Sequence, residues 1–260
     1  MSLHAHQEVL FTWSTKKLLR RVFLFYAANY TVNSTYQRNL DATLSVLPET
    51  NNGFGFYNLS TGLGTDTVNS AALCRGDVIP ELCRSCVNDS IVMLRKLCPN
   101  QVKAIGYYDY CFLEYSNETV LGGIGSKYNI FIYNIQNTTD AYWLNAVMRR
   151  LLSQLIDDAA AGGPLQKFAT GNTTGPDFIN FYALVQCTPD ISEQQCRNCL
   201  EDATNLIPQS INWRVGGRVL QPMCNFRYQT YRFFNQSAQL ISPPPILQPS
   251  PSIPPPPSAS

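Results

Sequence analysis

Charged residues and histidines are scarce in this sequence. Asp, Glu, Lys and Arg together make up 14% of the 260 residues, and the formal net charge is +1. An average domain carries about 25% charged residues, so this composition argues against binding to nucleic acid or to another polyanion. The two histidines, His4 and His6, lie in an N-terminal segment, residues 1–24, that we expect to be irregular. A folded Ser-His-Asp or Cys-His catalytic group is therefore not expected.

Long apolar runs and nucleotide-binding motifs are also lacking. The apolar run at residues 22–28 follows basic residues as in a signal peptide, but it barely reaches the length of an h-region. No run approaches the roughly 18 apolar residues that a membrane span requires, so attachment to a membrane would need a segment that is not in this chain. There is no Gly-rich phosphate loop and no kinase catalytic motif. We therefore expect a protein that is not an enzyme and has no cofactor.

Cysteines and glycosylation acceptors, by contrast, are abundant. The chain has nine cysteines, which is typical of small extracellular domains that use disulfides to supplement modest cores. Several asparagines begin an Asn-x-Ser/Thr sequence with no proline in the middle position. Together with the cysteines they favour the secretory route over the cytosol. These candidate acceptors are Asn29, Asn33, Asn58, Asn88, Asn117, Asn137, Asn172 and Asn235.

One cysteine spacing occurs twice. The sequence "CRGDVIPELCRSC" starts at Cys74 and "CTPDISEQQCRNC" starts at Cys187, and both read as Cys, eight residues, Cys, two residues, Cys. A constant offset of 113 relates four cysteines of the first half to four of the second. This regularity indicates an internal duplication, with two domains of about 100 residues each. The matching pairs are Cys74 and Cys187, Cys83 and Cys196, Cys86 and Cys199, and Cys111 and Cys224.

Periodic patterns around these two cysteine cassettes predict the elements of each copy. Apolar residues repeat every three to four positions before each cassette, as in an amphipathic helix, and Ser192 with Gln195 has capping-box spacing for a second helix. Cys224, Phe226 and Tyr228 then alternate with polar residues, which predicts a strand with one buried face. The fold class is therefore α+β: two tandem domains, each with two helices packed on an antiparallel β-sheet and stapled by disulfides. The apolar helical positions are Leu40, Leu44, Leu47, Leu144, Val147, Leu151 and Leu155.

The C-terminus differs in composition from both copies. Residues 241–260 read "ISPPPILQPSPSIPPPPSAS", which offers too little apolar area for a core. Its prolines favour an extended polyproline II conformation, so we predict a linker or stalk. The alternative is a disordered tail without a role.

These features resemble a known family. The two cassettes, the segments "NYTVNSTYQRNL", "FYALVQCTPDIS" and "GGRVLQPMCNFRY", and the Pro-rich tail are similar to the extracellular region of plant cysteine-rich receptor-like kinases. The resemblance implies two ginkbilobin-2-homologous (stress-antifungal) domains, at residues 25–135 and 136–240, followed by a Pro-rich linker at 241–260. In the family a transmembrane helix and a kinase usually follow that linker. Neither follows in this sequence, so we expect a secreted relative, a truncated receptor or an incomplete gene model.

The resemblance also implies a disulfide pairing and one unpaired thiol. Loops of the implied lengths contribute about 2.5 to 3.5 kcal/mol each in the chain-entropy model. Cys98 is left over, because its family partner would lie just upstream of "NYT" and residues 1–28 contain no cysteine. Its thiol is either buried or forms an intermolecular bridge. The implied bridges are Cys74–Cys83, Cys86–Cys111, Cys187–Cys196 and Cys199–Cys224.

Other chemistry at the cassettes has less support. Zinc at each Cys-x-x-Cys pair would need ligands from the other domain, and oxidised cysteines cannot bind it, so no metal site is expected. A thioredoxin-like role for Cys83 and Cys86 lacks the surrounding βαβ pattern. Arg75, Gly76 and Asp77 spell an adhesion-like tripeptide, which we interpret as a loop between bridged cysteines.

A sugar site is a sharper hypothesis. In mannose-binding ginkbilobin-type lectins, which this sequence resembles, an Asn, an Arg and a Glu at fixed distances from the first and last cysteines contact the sugar. The second copy has Arg218 at the Arg position but Gln229 at the Glu position, while the first copy has Ile105 and Ser116 there. Sugar hydroxyls need several converging hydrogen-bond partners, so the site is incomplete. We predict that Arg218 is instead a strand residue that fixes the sheet.

Three functional hypotheses follow from the sequence. The leading one is an extracellular, non-catalytic interaction or receptor module of plant stress or defence signalling, whose domains pack together and bind a peptide, a glycan or a co-receptor ectodomain. The alternatives are a secreted mannose-binding, lectin-like antifungal protein and an apoplastic thiol redox sensor. Each hypothesis places the protein in the apoplast, or on the outer face of the plasma membrane within a longer receptor. The Pro-rich tail favours a tethered module, because a free lectin needs no stalk.

Overall fold

The structure is a computed structural model in which the chain forms two α+β domains in tandem. For residues 7–12 and 21–26 the structure describes the backbone alone. His4, His6 and the Pro-rich residues 241–260 lie outside the described residues. The described ranges are residues 7–12, 21–26, 28–51, 53–122, 128–163 and 165–235.

The first domain packs two helices on one antiparallel sheet with strand order β1-β2-β5-β6-β4-β3. Helix α1 begins where the Ser34 hydroxyl accepts the backbone N–H of Gln37 at 3.2 Å, and α2 begins at Pro80, whose fixed φ suits a first helical turn. The elements are β1 (Gln7–Thr12), β2 (Arg21–Tyr26), α1 (Thr35–Val46), β3 (Phe56–Thr61), β4 (Val68–Cys74), α2 (Pro80–Leu97), β5 (Ala104–Tyr107) and β6 (Cys111–Ser116).

The second domain repeats this plan, with strand order β7-β10-β11-β9-β8. The predicted capping box is confirmed: Ser192 Oγ accepts the N–H of Gln195, whose side chain accepts the N–H of Ser192. The elements are β7 (Ile130–Tyr133), α3 (Ala141–Ala160), β8 (Lys167–Thr174), β9 (Asn180–Cys187), α4 (Glu193–Asn205), α5 (Ile207–Ser210), β10 (Gly216–Leu220) and β11 (Cys224–Gln229).

The N-terminal segment differs from its prediction. Residues 1–24 were expected to be irregular, but β1 lies within them and β2 begins there, taking up most of the apolar run at 22–28. Strand β2 pairs antiparallel with β5, with Val22 opposite Tyr107, in the position that β7 takes beside β10 in the second sheet. The physical reason is that β-branched and aromatic residues favour strands, and β5 offers an edge with which they can pair.

The four disulfides have the implied pairing, and they join helix to sheet in the same way in each domain. In the first domain, one bridge links the end of β4 to the first turn of α2, and the other links α2 to β6. Strands β4 and β6 are neighbours, with Cys74 directly opposite Cys111. Each cassette therefore fixes its helix to two adjacent central strands. The bridges are Cys74–Cys83, Cys86–Cys111, Cys187–Cys196 and Cys199–Cys224.

Each domain has its own core between the helices and one face of its sheet. Helices α1 and α2 bury Leu40 and Leu94 against the first sheet, and helix α3 buries Leu144 and Met148 against the second. The amphipathic periodicity in the sequence therefore marks the helix faces that form these two cores.

The other face of each sheet is buried as well, where the two domains meet. The sequence predicted one buried face for β11, but Arg227 and Gln229 on its other face are 8% and 0% exposed. The prediction was wrong because the first domain packs against this side of the second, where Asp109 lies 3.5 Å from Arg227. An apolar cluster at this junction contains residues of both domains. Its buried members are Phe56, Ala71, Leu73, Ile105, Tyr107, Phe112, Tyr128, Ile130, Ile132 and Leu220.

Two aspartates make matching contacts across the domain junction. Asp77 Oδ2 accepts the backbone N–H of Asn235 at 2.7 Å, and Asp190 Oδ2 accepts the backbone N–H of Gly122 at 2.6 Å. The offset of 113 relates Asp77 to Asp190 and Gly122 to Asn235, so the two contacts are equivalent and reciprocal. Reciprocal contacts are the mark of a two-fold interface between identical subunits. The duplicated domains therefore pack as an internal pseudo-dimer.

A tyrosine at the junction provides a test of domain coupling. The Tyr107 hydroxyl donates to the backbone oxygen of Gln221 in the second domain at 2.9 Å and lies 2.7 Å from the Tyr128 hydroxyl. Because Tyr107→Phe leaves buried partners without this hydroxyl, we expect the free energy of unfolding in urea to fall by about 1–3 kcal/mol. We also expect the two domains to unfold less cooperatively.

Tyr108→Phe is the matched control for this experiment. The Tyr108 hydroxyl donates to the backbone oxygen of Ser90 at 3.2 Å, within the first domain. Its loss should lower stability but leave the coupling between domains intact. The interpretation fails if Tyr107→Phe unfolds with the same midpoint and cooperativity as the parent protein.

Glu114 places an ionisable group on the buried junction face of the first sheet. It stands opposite Ala71 and Ile105 on the neighbouring strands and is 6% exposed. Burial raises the pKa of its carboxyl from 4.5 to about 7, although the charge of Lys103 acts to lower it. Between pH 4.5 and about pH 7, the folded state therefore keeps a proton on Glu114, whereas the unfolded state has released it.

This shift predicts a protein that is more stable in acid. As the pH rises from about 4.5 to about 7, Glu114 should lower the free energy of unfolding with a slope of up to about 1.4 kcal/mol per pH unit. Glu114→Gln removes the titration, so its stability relative to the parent should grow over this range in urea melts. Glu201→Gln is a control, because that side chain is exposed in the second domain. Identical pH profiles for the parent and Glu114→Gln would contradict the prediction.

Candidate functional site

A groove opens to solvent where the two domains meet. It has a volume of about 640 Å³ and lies between the loop of the first cassette and the segment that follows β11. A second cavity of about 310 Å³ shares Arg75, Asp77, Val78, Ile79 and Asn235 with it. We call them the junction groove and the side cavity. Both volumes lie in the range of about 300 to 1,000 Å³ that is typical of ligand pockets.

The cassette loop brings a fixed arginine to the junction groove. The Arg75 guanidinium donates two hydrogen bonds to the carboxylate of Asp77 and one to the backbone oxygen of Asp109. Its guanidinium carbon also lies 5.2 Å from the ring centre of Tyr110 and 6.0 Å from that of Phe233. The position of Arg75 is therefore set by charge on one side and by aromatic faces on the other.

The adhesion-like tripeptide belongs to this packed loop, as we interpreted it from the sequence. A Cβ atom on Gly76 would lie 2.4 Å from the ring of Phe168 in the second domain, so only glycine fits there. The backbone oxygen of Gly76 accepts a hydrogen bond from Gln166 Nε2 at 2.9 Å. The tripeptide fixes the loop against the second domain, and its Arg and Asp bind each other.

Arg227, on β11, lies in the wall of the groove with few partners. Its side chain is 9% exposed, and its Nη1 lies 3.5 Å from Asp109 Oδ1. The ring centre of Phe233 is 4.2 Å from the guanidinium carbon, and Tyr231 Oη lies 3.4 Å from Nη2. Within the described residues, the Nε has no hydrogen-bond partner. Burial lowers the pKa of Arg227 despite the opposing charge of Asp109.

The groove combines surplus positive charge with an exposed apolar rim. Three arginines and two aspartates line it, which gives a formal charge of +1 (three minus two). Its rim exposes Ile79, Leu82, Tyr110 and Tyr231 by 58%, 39%, 39% and 39%. Such a surface suits a ligand with both an anionic and an apolar part.

The duplication allows this groove to be compared with its equivalent in the same chain. Adding 113 to the groove residues of the first cassette and of the turn after β5 changes an arginine, two exposed apolar residues and a tyrosine, while Asp77 and Val78 correspond to Asp190 and Ile191. The position of Arg227 corresponds to Glu114. The fold therefore does not require the residues that change, because the equivalent positions fold with different ones. The corresponding pairs are Arg75 and Thr188, Ile79 and Ser192, Leu82 and Gln195, and Tyr110 and Met223.

The residues considered for sugar binding lie elsewhere. Arg218 is in β10, as predicted, but it is 9% exposed and donates to the backbone oxygen of Tyr108 in the first domain at 3.2 Å. Burial, followed by the charge of Arg227, lowers its pKa to about 10. Gln229 is fully buried, and Ile105 and Ser116 in the first domain are buried too. The structure therefore gives no support to a sugar contact at these positions.

The candidate glycosylation sites are all on the surface. Every one of the eight asparagines is exposed, as an acceptor must be, and Asn235 borders both the groove and the side cavity. Over the described ranges, no cluster of three or more His, Cys, Asp or Glu side chains could hold a metal ion. None of the described helices is long and apolar enough to cross a bilayer.

Cys98 is buried at the C-terminal end of α2. It is 1% exposed and packs in the core of the first domain, where burial raises the pKa of its thiol to about 11. The sequence left open whether the Cys98 thiol is buried or forms an intermolecular bridge. In the structure it is free and buried. An intermolecular bridge would require this core to open.

No pattern in the sequence predicted the groove. Its residues come from the first cassette, from the turn at Tyr110, and from residues 227–235 after a gap of more than one hundred positions. The available signal was the set of differences between the two copies at the offset of 113, which marks Arg75, Ile79 and Leu82 as particular to one copy.

The fold and its bridges define a tandem, disulfide-stapled cysteine-rich module. The family model described as "Salt stress response/antifungal" matches residues 26–118 and 133–231. The chain therefore belongs to this family, which confirms the resemblance seen in the sequence.

Named relatives and a solved structure agree with this assignment. "Cysteine-rich receptor-like protein kinase 7" of Arabidopsis thaliana is 39% identical over 247 residues, which are 90% of this chain and 36% of the relative. "Antimicrobial ginkbilobin-2-like protein" of Castanea crenata is 37% identical over 211 residues, 81% of this chain and 87% of the relative. This chain thus spans about a third of the receptor kinase.

A solved structure supports the fold. It is the tandem DUF26 ectodomain of the Arabidopsis thaliana cysteine-rich receptor-like protein PDLP8, which superposes on this chain with a TM-score of 0.70 at 20% identity. The superposition covers 85% of this chain and 98% of that one.

The burial of Cys98 predicts an inert thiol. Because the thiolate is the reactive form, a thiol with a pKa of about 11 should not react in the native protein near neutral pH. We expect no reaction with a chromogenic disulfide reagent before unfolding, and one thiol per chain after unfolding without reductant. Cys98→Ser provides the blank. A rapid reaction of the native protein, or a reductant-sensitive dimer that the Ser variant lacks, would refute the prediction.

Proposed function

We propose that this chain is an extracellular, non-catalytic recognition module of plant stress or defence signalling, and that it binds its ligand in the junction groove. The observation that carries the proposal is the internal comparison between the two copies. The groove is built by both domains, and it contains Ile79, Leu82 and Arg227 where the equivalent positions have Ser192, Gln195 and Glu114. Because the equivalent positions fold with other residues, we assign these three to binding.

An extracellular location has independent support. Four disulfides form the framework of both domains, and such bridges persist in oxidising compartments. The eight exposed acceptor asparagines fit passage through the secretory route. The receptor-like kinase and the antimicrobial protein among the relatives also fit this location.

A secreted antimicrobial protein is the second candidate. It is favoured by the Castanea crenata relative, because this chain covers 87% of that protein's length. The burial of Arg218 and Gln229 argues against mannose binding as its means of action. The third hypothesis, a thiol redox sensor, is disfavoured because burial holds the Cys98 thiol in its unreactive protonated form.

Ligand arrays with a blocked groove would test the proposal. The secreted, glycosylated protein is applied to an array of linear peptides and to an array of mannose-containing glycans. Leu82→Glu, on the rim, should lower retention on the ligand array at least tenfold, because it replaces an apolar contact with a charge that repels an anionic ligand. Val92→Glu is the matched control, because Val92 lies on the same helix, is 66% exposed and does not line the groove.

The outcomes separate the candidates. Binding that Leu82→Glu abolishes and Val92→Glu preserves supports recognition in the groove. Retention on mannose that neither variant changes would favour a lectin with another site. If neither array retains the protein, or if both variants behave alike, the proposal of a ligand-binding groove is wrong.

A further inference from the structure

We infer that the ligand of the junction groove is a linear peptide that carries a carboxylate beside an apolar side chain. This inference rests on the proposed function and specifies the ligand of the same site. It depends on three features: an underpartnered buried guanidinium, an apolar side cavity and an aromatic rim.

The guanidinium of Arg227 supplies the anion-binding part. Its side chain is nine-tenths buried, yet its two hydrogen-bonding contacts among the described residues measure 3.4 and 3.5 Å, and its Nε has no partner there. A buried cation without close partners is costly. Arg75 is already saturated by Asp77 and the backbone of Asp109. A ligand carboxylate is therefore the group that would complete the coordination of Arg227.

The side cavity supplies the apolar part. Beside the shared Ile79 and Val78, it is lined by Phe54, Pro80 and the Cys74–Cys83 bridge. Because five residues line both cavities, we place one ligand across the two. A peptide can place a carboxylate over Arg227 and a neighbouring apolar side chain in the side cavity.

This combination favours a peptide over an acidic glycan. A uronate sugar carries the carboxylate but exposes hydroxyl groups on every residue, and these would lose hydrogen bonds to water in a cavity walled by Phe54 and Pro80. The Arg227 guanidinium lies against Phe233 and near Tyr231. Aromatic side chains at the rim can cover the backbone of an extended peptide and exclude water from the ion pair.

The test measures dissociation constants for four fluorescent probes with the secreted protein. The first is a peptide of about nine residues with a central Glu-Leu pair. The second has Gln-Leu, the third has Glu-Ser, and the fourth is an oligogalacturonate with at least the same charge. Ser237→Ala is introduced in every protein, because it removes the acceptor sequence at Asn235 and so excludes a glycan at the groove.

We expect the Glu-Leu peptide to bind at least tenfold more tightly than the other three probes. Arg227→Gln should make the Glu-Leu and Gln-Leu peptides bind equally, and Arg227→Lys should restore part of the difference. Ile79→Ser, which removes an apolar side chain that lines both cavities, should weaken both Leu peptides without changing their ratio, whereas Val92→Ser should change nothing. Thermal unfolding of each variant checks that it folds, and the Ile79→Ser result remains decisive for the apolar contact if Arg227→Gln does not fold.

Several results would overturn the inference. Equal affinity for the Glu-Leu and Gln-Leu peptides would exclude the carboxylate, and equal affinity for Glu-Leu and Glu-Ser would exclude the apolar contact. Preference for the oligogalacturonate would make the ligand an acidic glycan. If no probe binds while the arrays still show groove-dependent retention, the ligand class is wrong but the proposed function stands; if the arrays also fail, both are wrong.

Discussion

The burial of both faces of each β-sheet is the constraint on which the rest of the structure depends. One face packs against helices that the cassettes bind to two adjacent strands, and the other packs at the domain junction. A domain of about 100 residues buries a limited apolar core, so the junction adds a third core to two small ones. The reciprocal contacts of Asp77 and Asp190 then fix how the two domains lie against each other.

The pseudo-dimer explains how one copy can change its groove residues without loss of the fold. A symmetric dimer of identical chains would carry each change twice, whereas a tandem duplication can alter one copy alone. Position 227 is arginine where its equivalent, Glu114, is acidic, and both are buried. Apolar residues often stabilise such positions as well as charges do. Stability therefore does not account for Arg227, and binding is the remaining role that its position in the groove suggests.

The sequence predicted local structure and missed what depends on distant contacts. The helix faces, the capping box at Ser192 and the α+β class follow from short-range patterns, and the cysteine bridges followed from the family resemblance. Strand β11 is an example of such a miss. Its alternating pattern predicted one solvent-exposed face, because a period of two does not reveal a second domain that covers the polar residues. Strand β2 was mistaken for part of an irregular segment, since its partner β5 lies some eighty residues later.

The groove lies beside the segment that leads to the Pro-rich sequence. Tyr231 and Phe233 line it, and the N–H of Asn235 is held by Asp77 from the first cassette. This segment precedes the Pro-rich sequence at residues 241–260. A ligand that fills the groove would contact the cassette loop and this segment together, and could thereby stabilise the contact between Asp77 and Asn235. Binding energy would then act on residues 231–235, because a ligand stabilises the contacts that form its site.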